Sequence, residues 1–320
     1  ARWRSVNVLT VGTGAVERCE LFDESDLDAA LAIFDEISCP TMRWQNAASR
    51  VGERLRAAFA VRDWPAMTEL VSDDLYNEDR RRIVNAGIRH GRDSMIEDMR
   101  AAADIGIPRL EAIDIATRGE RLVLVRAASR HSERPDAFRV ENLVIVELGA
   151  NGRCAAQIMF DPDDLDAAFA ELDARYLAGE AAAHAHTWSA IVNANAAFNR
   201  REMPATTLHW VNVDNRRGGM AFAPGDQTAY MHATWDVAPL VSNRIVAVHR
   251  LDDRGVAFTQ FVQASSRDGF NAEWRDVVVM TFDGELINRC EVFDEDDIDT
   301  ALSRFDELSA SPRSPDTVDT

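Results

Sequence analysis

The chain has 320 residues and a formal net charge of −19 at pH 7, a length that suggests two globular units. The negative charge argues against a surface for nucleic-acid phosphates. All 35 basic residues are arginine, which excludes lysine Schiff-base chemistry and a P-loop with its usual lysine. The four cysteines form no Cys-x-x-Cys pair, and no apolar run resembles a membrane helix or a secretion signal. We therefore expect a cytoplasmic protein with no cofactor or metal and with neither nucleic acid nor membrane as a partner.

An internal repeat divides the chain. Residues 3–38 and 274–309 align without a gap and are identical at 19 of 36 positions, and a more divergent copy runs from Glu141. The anchor residues Phe22, Phe160 and Phe293 lie 138 and 133 residues apart, which sets the length of one repeat. We predict four segments: the closing strands and helix of a preceding repeat, two complete domains, and a disordered tail, over residues 1–38, 39–178, 179–309 and 310–320.

Each complete domain is predicted to place helices before strands. In the first, helix-forming residues with one apolar stripe cover residues 47–61, and a short helix follows over 65–71. Runs rich in apolar and β-branched residues then predict antiparallel strands at 110–117, 121–129, 138–148 and 154–160. The second domain has the same texture at 244–251, 256–264, 274–282 and 285–293. The predicted class is α+β.

An acidic segment follows the last strand of each copy. Asp23, Asp161 and Asp294 occupy the same place in this pattern, ahead of a helix with an apolar stripe. We predict that these carboxylates cap the amide groups of the helix. The alternative is a calcium site, but the segment lacks the loop glycine and the twelfth-position glutamate of an EF-hand.

The order of elements, with Arg62-Asp63-Trp64-Pro65-Ala66 ahead of a strand rich in aspartate and arginine, resembles the SnoaL-like superfamily. That superfamily includes nuclear transport factor two, ketosteroid isomerases and polyketide cyclases. The resemblance implies two tandem cone-shaped domains, each with helices packed on a curved antiparallel sheet around a cavity. It also implies a position in the carboxyl-terminal part of a larger bacterial regulatory protein.

The first strand of each domain is where family enzymes often place an acid or a base. Residues two apart share one face of a strand, which groups two equivalent trios, Asn77, Asp79 and Arg81 in one domain and Asn212, Asp214 and Arg216 in the other. Each aspartate either takes a proton from a substrate or forms a structural pair with the arginine. The arginine would lower the aspartate pKa, which favours the structural role.

A histidine and several aromatic residues complete the candidate site. His249 follows the apolar run 245–248 on a predicted interior strand, where an imidazole serves as an acid or base, and its counterpart in the first domain is about Asp114. The candidate catalytic residues are Asp214, Arg216 and His249. The candidate ligand-binding residues are Trp210, Asn212, Trp235, Tyr76, Asn77, Asp79 and Arg81.

Three functional hypotheses follow. The first is a non-catalytic tandem module that binds a small apolar ligand or a partner protein, as a sensory or interaction part of a larger protein. The alternative is a cyclase, isomerase or hydratase that uses an Asp–His pair in the second cavity. The third is architectural, with the two sheets packed face to face as an internal pseudo-dimer. Separately, the strands of residues 1–38 are expected to add to a sheet edge of this chain or of a neighbouring copy, giving a homodimer in the latter case.

Overall fold

The computed structural model describes residues 5–11, 16–23, 26–27, 29–30, 45–130, 139–217, 227–237, 240–265 and 271–310. Of the predicted tail, residues 311–320 lie outside this described part. The chain divides into two compact units, residues 1–45 and residues 46–320. None of the helices in the described part is long and apolar enough to cross a membrane.

The smaller unit contains a hairpin. Its strands, β1 (Ser5–Val11) and β2 (Val16–Asp23), form a two-stranded antiparallel sheet of their own. The expectation that they add to a sheet edge within this chain is therefore wrong for the described residues, because each strand pairs with the other one alone. Addition to a neighbouring copy stays a prediction.

The larger unit combines helices with one large sheet, which confirms the predicted α+β class. Its helices are α1 (Ala47–Ala60), α2 (Trp64–Leu70), α3 (Arg92–Asp104), α4 (Leu165–Ala178), α5 (Ala185–Asn199), α6 (Gln227–Val237) and α7 (Ile298–Ala310). The strands up to α4 are β3 (Val71–Asp79), β4 (Gly87–His90), β5 (Leu110–Arg118), β6 (Leu122–Arg130), β7 (Arg139–Leu148) and β8 (Cys154–Phe160). The later strands are β9 (Thr206–Asp214), β10 (Leu240–Leu251), β11 (Gly255–Ser265), β12 (Asn271–Asp283) and β13 (Leu286–Asp294). We refer to α1 through α4 as the first repeat and to α5 through α7 as the second.

Eleven strands form one sheet in the order β4-β3-β8-β7-β6-β5-β10-β11-β12-β13-β9. The order of the second repeat mirrors that of the first, and the repeats meet where β5 and β10 run parallel, with Thr117 opposite Ala247 and Arg118 opposite Val248. The expected face-to-face packing of two sheets is wrong, because the sheets join edge to edge. Within its own repeat, each of these two strands has one edge without a partner strand. Where the two edges pair, their backbone N–H and C=O groups find hydrogen-bond partners.

Arg118 stabilises the junction of β5 and β10, which we call the seam. Its side chain is 1% exposed, donates from Nε to Asp173 Oδ1 at 2.8 Å and from Nη2 to the carbonyl oxygen of Ile245 at 3.0 Å. The guanidinium also lies 5.3 Å from the centre of the Trp188 ring. One buried cation therefore binds β10 and α4 and contacts α5.

The first two helices begin at residues whose side chains cap them. The Asn46 side chain accepts a hydrogen bond from the Ser49 amide at 2.9 Å, and its own amide donates to the carbonyl oxygens of Gly119 and Leu122, both at 2.9 Å. The cap thus also ties α1 to the turn between β5 and β6. Asp63 accepts from the Ala66 amide at 3.0 Å and begins α2.

The two faces of the sheet are covered differently in the two repeats. In β6, Val123 and Val125 pack in the cluster of α1, α2 and α3, whereas Leu122 and Leu124 belong to the cluster of α4 and α5. Helix α7 packs in a third cluster with Val277, Val279 and Phe293 of the second repeat. We call the face covered by the opening helix of each repeat, α1 or α5, its interior face, and the opposite one its outer face. Because α4 and α5 share one cluster, the two interior faces lie on opposite sides of the sheet.

Candidate functional site

Equivalent aspartate–arginine pairs close the first strand of each repeat. Arg81 donates from Nε and Nη2 to the two carboxylate oxygens of Asp79, each at 2.9 Å, and its backbone amide donates to Oδ1 at 3.0 Å. Arg216 binds Asp214 in the same way, at 2.9, 2.8 and 3.0 Å. Burial acts to raise the pKa of both aspartates, but the hydrogen bonds from the arginines outweigh it, and the pKa of each lies below its usual value. These contacts are those of the structural alternative, and they make each carboxylate a weak base.

The arginine that follows each pair in the sequence, Arg82 or Arg217, binds the acidic segment after the last strand of the same repeat. The backbone amide of Arg82 donates to Asp161 Oδ2, and that of Arg217 donates to Asp294 Oδ2, both at 2.9 Å. The prediction that Asp161 and Asp294 cap a helix with their side chains is therefore wrong, because these oxygens bind a loop amide instead. The Arg82 guanidinium also donates to Asp163 at 2.7 Å. In the cluster of Asp161, Asp163 and Asp164, which the sequence offered as an alternative calcium site, an arginine therefore supplies the positive charge.

His249 does not share a face with Asp214. Its Nε2 lies 2.8 Å from Thr259 Oγ1, and Thr259 pairs with Val277, which packs on α7 at the outer face. Asp276, the neighbour of Val277, points to the interior face and contacts Arg216. The predicted Asp214–His249 acid–base pair is therefore wrong, since the sheet separates the two side chains.

Burial also explains the ionisation state of this histidine. Desolvation, with a smaller contribution from the Arg250 charge, lowers the pKa of His249 to about 4. The imidazole is neutral at pH 7 and bound to a threonine hydroxyl. Its counterpart in the sequence, Asp114, pairs with Val125 at the interior face of the first repeat, so the two are not equivalent positions.

Tyr76 does not share a strand face with Asn77 and Asp79, the other candidate ligand-binding residues of β3. Asn77 and Asp79 are 8% and 3% exposed and lie on the interior face with Leu75. The Tyr76 hydroxyl donates to Glu78 Oε2 at 2.9 Å, and its ring lies 5.9 Å from the Arg175 guanidinium of α4. Tyr76 therefore belongs to the outer face, because consecutive residues of a strand point to opposite sides.

A chain of polar side chains crosses the interior face of the second repeat. Arg216 donates from Nη1 to Asp276 Oδ1 at 3.0 Å, and Gln260 Nε2 lies 3.4 Å from Asp276 Oδ2. Gln260 Oε1 in turn accepts from Asn243 Nδ2 at 2.6 Å. Trp274 Nε1 adds a third contact to Asp276, at 3.0 Å. The side chain of Asp276 is only 4% exposed, and a buried charge is costly unless it is paired and hydrogen-bonded. The three donors provide this compensation.

The described residues of the first repeat, which leave out 131–138, contain no such chain. Strand pairing places Asn142, Ala127 and Leu110 at the positions that Asp276, Gln260 and Asn243 occupy in the second repeat. Ala127 and Leu110 pack against the apolar core beneath α1. The polar belt, which we define as Arg216, Asp276, Gln260 and Asn243, is a property of the second repeat.

Three polar atoms beside this belt make no hydrogen bond within the described residues. They are Trp210 Nε1, Trp235 Nε1 and Asn243 Oδ1, in side chains that are 7–9% exposed. Trp210 packs with Phe258, Val278 and Val292 on one side of the belt. Trp235 packs on the other side with Val241, Val262, Ala264 and Trp274. Two donors and one acceptor are thus left unused in an apolar interior.

Sequence reasoning identified both tryptophans and Arg216 but missed the other three residues of the belt. Asn212 lies on the same strand as Trp210, opposite Cys290. On the interior face of their strands, Asn243, Gln260 and Asp276 each lie between apolar residues two positions away, and a lone polar residue at an interior position is the available signal. A separate groove of about 520 Å³ lies along α5 and is lined by Asn193, Ala197, Met203, Leu286 and neighbouring residues. It does not include the belt.

No protein-family description matches the sequence, and no curated protein matches it. Similarity to solved structures is found for a length of about one repeat. A candidate polyketide cyclase from Xanthomonas campestris is 14% identical over 39% of this chain and 96% of its own, with a TM-score of 0.29. SalBIII, an epoxide hydrolase/cyclase-like enzyme of pyran ring formation in salinomycin, is 16% identical over 35% of this chain and 88% of its own, with a TM-score of 0.30.

An NTF2-like protein from Anabaena variabilis is 12% identical over 37% of this chain and 88% of its own, with a TM-score of 0.31. The polyketide cyclase and the NTF2-like protein are described by names that belong to the superfamily the sequence resembles. Their identities and TM-scores are low, and fold similarity does not define function. The function of this chain is therefore argued from its own side chains.

Proposed function

We propose that the interior face of the second repeat binds, without catalysis, a small and mainly apolar molecule that carries a hydroxyl or carbonyl oxygen. The observation that supports this is a set of three buried atoms that have no hydrogen-bond partner among the described residues, Trp210 Nε1, Trp235 Nε1 and Asn243 Oδ1. A buried polar group without a partner costs about 1–3 kcal/mol. A ligand oxygen that accepts from an indole N–H recovers part of that free energy.

The surroundings define the rest of the ligand. Apolar side chains line both sides of the belt, with Phe258 and Val278 beside Trp210 and with Val241 and Val262 beside Trp235. Such walls favour a molecule with an apolar body and few polar atoms. A hydroxyl suits the site because it accepts from an indole and donates to Asn243 Oδ1.

The belt also supports binding over proton transfer. The Asp214 carboxylate is held by three hydrogen bonds from Arg216, and Asp276 accepts from Arg216, Gln260 and Trp274. The bonds from Arg216 lower the pKa of Asp214, which makes that carboxylate a poor proton acceptor. His249, the other candidate acid or base, lies on the outer face of the sheet, away from the belt.

The test is a titration with Nile red, a neutral apolar dye with a carbonyl acceptor. We expect saturable binding to the full chain, and Trp210→Phe and Trp235→Phe each to raise the Kd about 3–10-fold, because one hydrogen bond contributes about 0.5–1.5 kcal/mol. Trp64→Phe is the matched control, since Trp64 packs edge-on against Phe59 in the first repeat. Equal Kd values for the three variants and the parent chain would contradict the proposal.

A further inference from the structure

The hairpin β1–β2 has the same pairing as the closing hairpin β12–β13. Ser5 opposite Asp23 and Leu9 opposite Cys19 match Asp276 opposite Asp294 and Met280 opposite Cys290 in the sequence alignment. A bulge also occurs at the same place, after Thr10 in one hairpin and after Thr281 in the other. Register and bulge are set by side-chain pattern, so the two hairpins are equivalent structures.

One face of β1–β2 is exposed where the equivalent face of β12–β13 is covered. Leu9 and Leu21 are 52% and 64% exposed, and Cys19 between them is exposed as well. Their counterparts include Cys290 and Val292, which are 8% and 6% exposed. Two large apolar side chains on one face of a two-stranded sheet leave an apolar surface in water.

In the second repeat the equivalent face packs in one cluster with α5 and with Trp210 of β9, and the edge of β13 that faces away from β12 is paired by β9. Strand β9 runs parallel to β13, with Asn212 opposite Cys290 and Asp214 opposite Val292. The backbone amide of Arg217, just beyond β9, donates to Asp294 Oδ2. Strand β3 binds β8 in the same way, with Asp79 opposite Met159 and the Arg82 amide on Asp161.

We propose that β2 binds, in parallel, a strand with the pattern Asn-x-Asp-x-Arg-Arg that β3 and β9 share. The alignment places the asparagine of this strand opposite Cys19, its aspartate opposite Leu21 and its last arginine amide on Asp23. The partner is thus the opening half of a repeat of this kind. In a second copy of this chain the two strands with that pattern, β3 and β9, are already paired with β8 and β13.

The experiment uses a synthetic peptide of residues 206–217 with a fluorescent label, added to the full chain carrying Cys39→Ser. Cys154 and Cys290 are buried, so alkylation by iodoacetamide reports on Cys19. We expect saturable binding by fluorescence anisotropy and at least fivefold slower alkylation at saturating peptide. A peptide of the same composition in scrambled order should have neither effect.

Two chain variants locate the binding. Leu21→Lys should abolish both effects because it places a charge on the proposed surface. Leu286→Lys, at a 41% exposed leucine of β13, is the matched control and should leave both unchanged. Absence of peptide binding, or equal binding by Leu21→Lys, overturns the proposal. Protection of Cys19 that rises with chain concentration and needs no peptide assigns the surface to a second copy and also overturns it.

Discussion

At the scale of single residues, His249 links stability to pH. Its pKa is lowered to about 4 from an ordinary value of 6.5, so the folded chain binds this proton more weakly than the unfolded chain does. The contribution to stability is therefore complete above pH 6.5 and is lost as the pH falls from 6.5 towards 4. We expect the parent chain to lose about 2 kcal/mol more of its unfolding free energy between pH 7 and pH 5 than the variant His249→Gln.

Urea denaturation of both proteins at the two pH values measures this difference. Glutamine does not titrate and retains a group that binds the Thr259 hydroxyl, so the comparison removes the contributions of all other titrating groups. Identical pH dependence in the two proteins would show that His249 is accessible to protons in the folded chain.

The sequence predicted some residue positions and failed at others for a local physical reason. The Asp–Arg pairs were predictable because the two residues are two apart in the sequence, although each strand ends at its aspartate and the arginine lies just beyond it. His249 was placed on the wrong face because β10 contains irregularities after Ile245 and after Val248. Each added residue reverses the alternation of faces, and Ile245 and Val248 consequently both reach the interior. A bulge of this kind depends on pairing with β11, which the strand's own sequence does not reveal.

At the scale of elements, Gly255 controls the start of β11. It is buried opposite Thr281, and a Cβ atom there would lie 2.5 Å from the Met280 carbonyl oxygen, which belongs to the backbone and cannot move aside. We expect Gly255→Ala to lower the unfolding free energy by about 2 kcal/mol through this overlap. Thermal or urea denaturation followed by circular dichroism measures it.

Gly284→Ala is the control for this variant. Gly284 lies in the turn before β13 with φ 61° and nothing within 4 Å of a Cβ. Only its left-handed backbone conformation opposes alanine, at about 1 kcal/mol. A loss for Gly255→Ala no greater than that for Gly284→Ala would contradict close approach as the cause.

Most strands and the first helices were predictable because their signals are local. The predicted strand 154–160 coincides with β8, and the predicted helix 47–61 differs from α1 by one residue. Helix α6 was not predicted, since its sequence shows no clear apolar stripe between residues 227 and 237. The seam between β5 and β10 was not predictable either, because two edge strands pair through backbone groups that every residue carries.

At the scale of the molecule, the seam makes the two repeats interdependent. Buried residues of both repeats form one hydrophobic cluster with α4 and α5, and Arg118 binds Asp173 and the Ile245 carbonyl oxygen inside it. We expect Arg118→Met to lower the unfolding free energy by about 3 kcal/mol, because it leaves the half-buried Asp173 carboxylate and the buried Ile245 carbonyl oxygen without their donor. Both repeats should lose stability together.

Tryptophan fluorescence and far-ultraviolet circular dichroism during urea denaturation test this. We expect one transition that coincides by both methods, before and after the substitution. Arg109→Met is the control, since Arg109 is 64% exposed and its ion pair with Glu111 should contribute less than about 1 kcal/mol. A variant that unfolds in two steps, with one step unchanged, would show that the repeats are independent.

The placement of the two interior faces on opposite sides of the sheet has a consequence for access. A molecule that binds one interior face approaches the sheet from the side opposite to a molecule that binds the other face, so neither blocks the other. The adjoining strands β5 and β10 belong to one continuous sheet, and a displacement of either strand changes the backbone on both of its sides. Any coupling between the two faces would thus pass through the strands themselves.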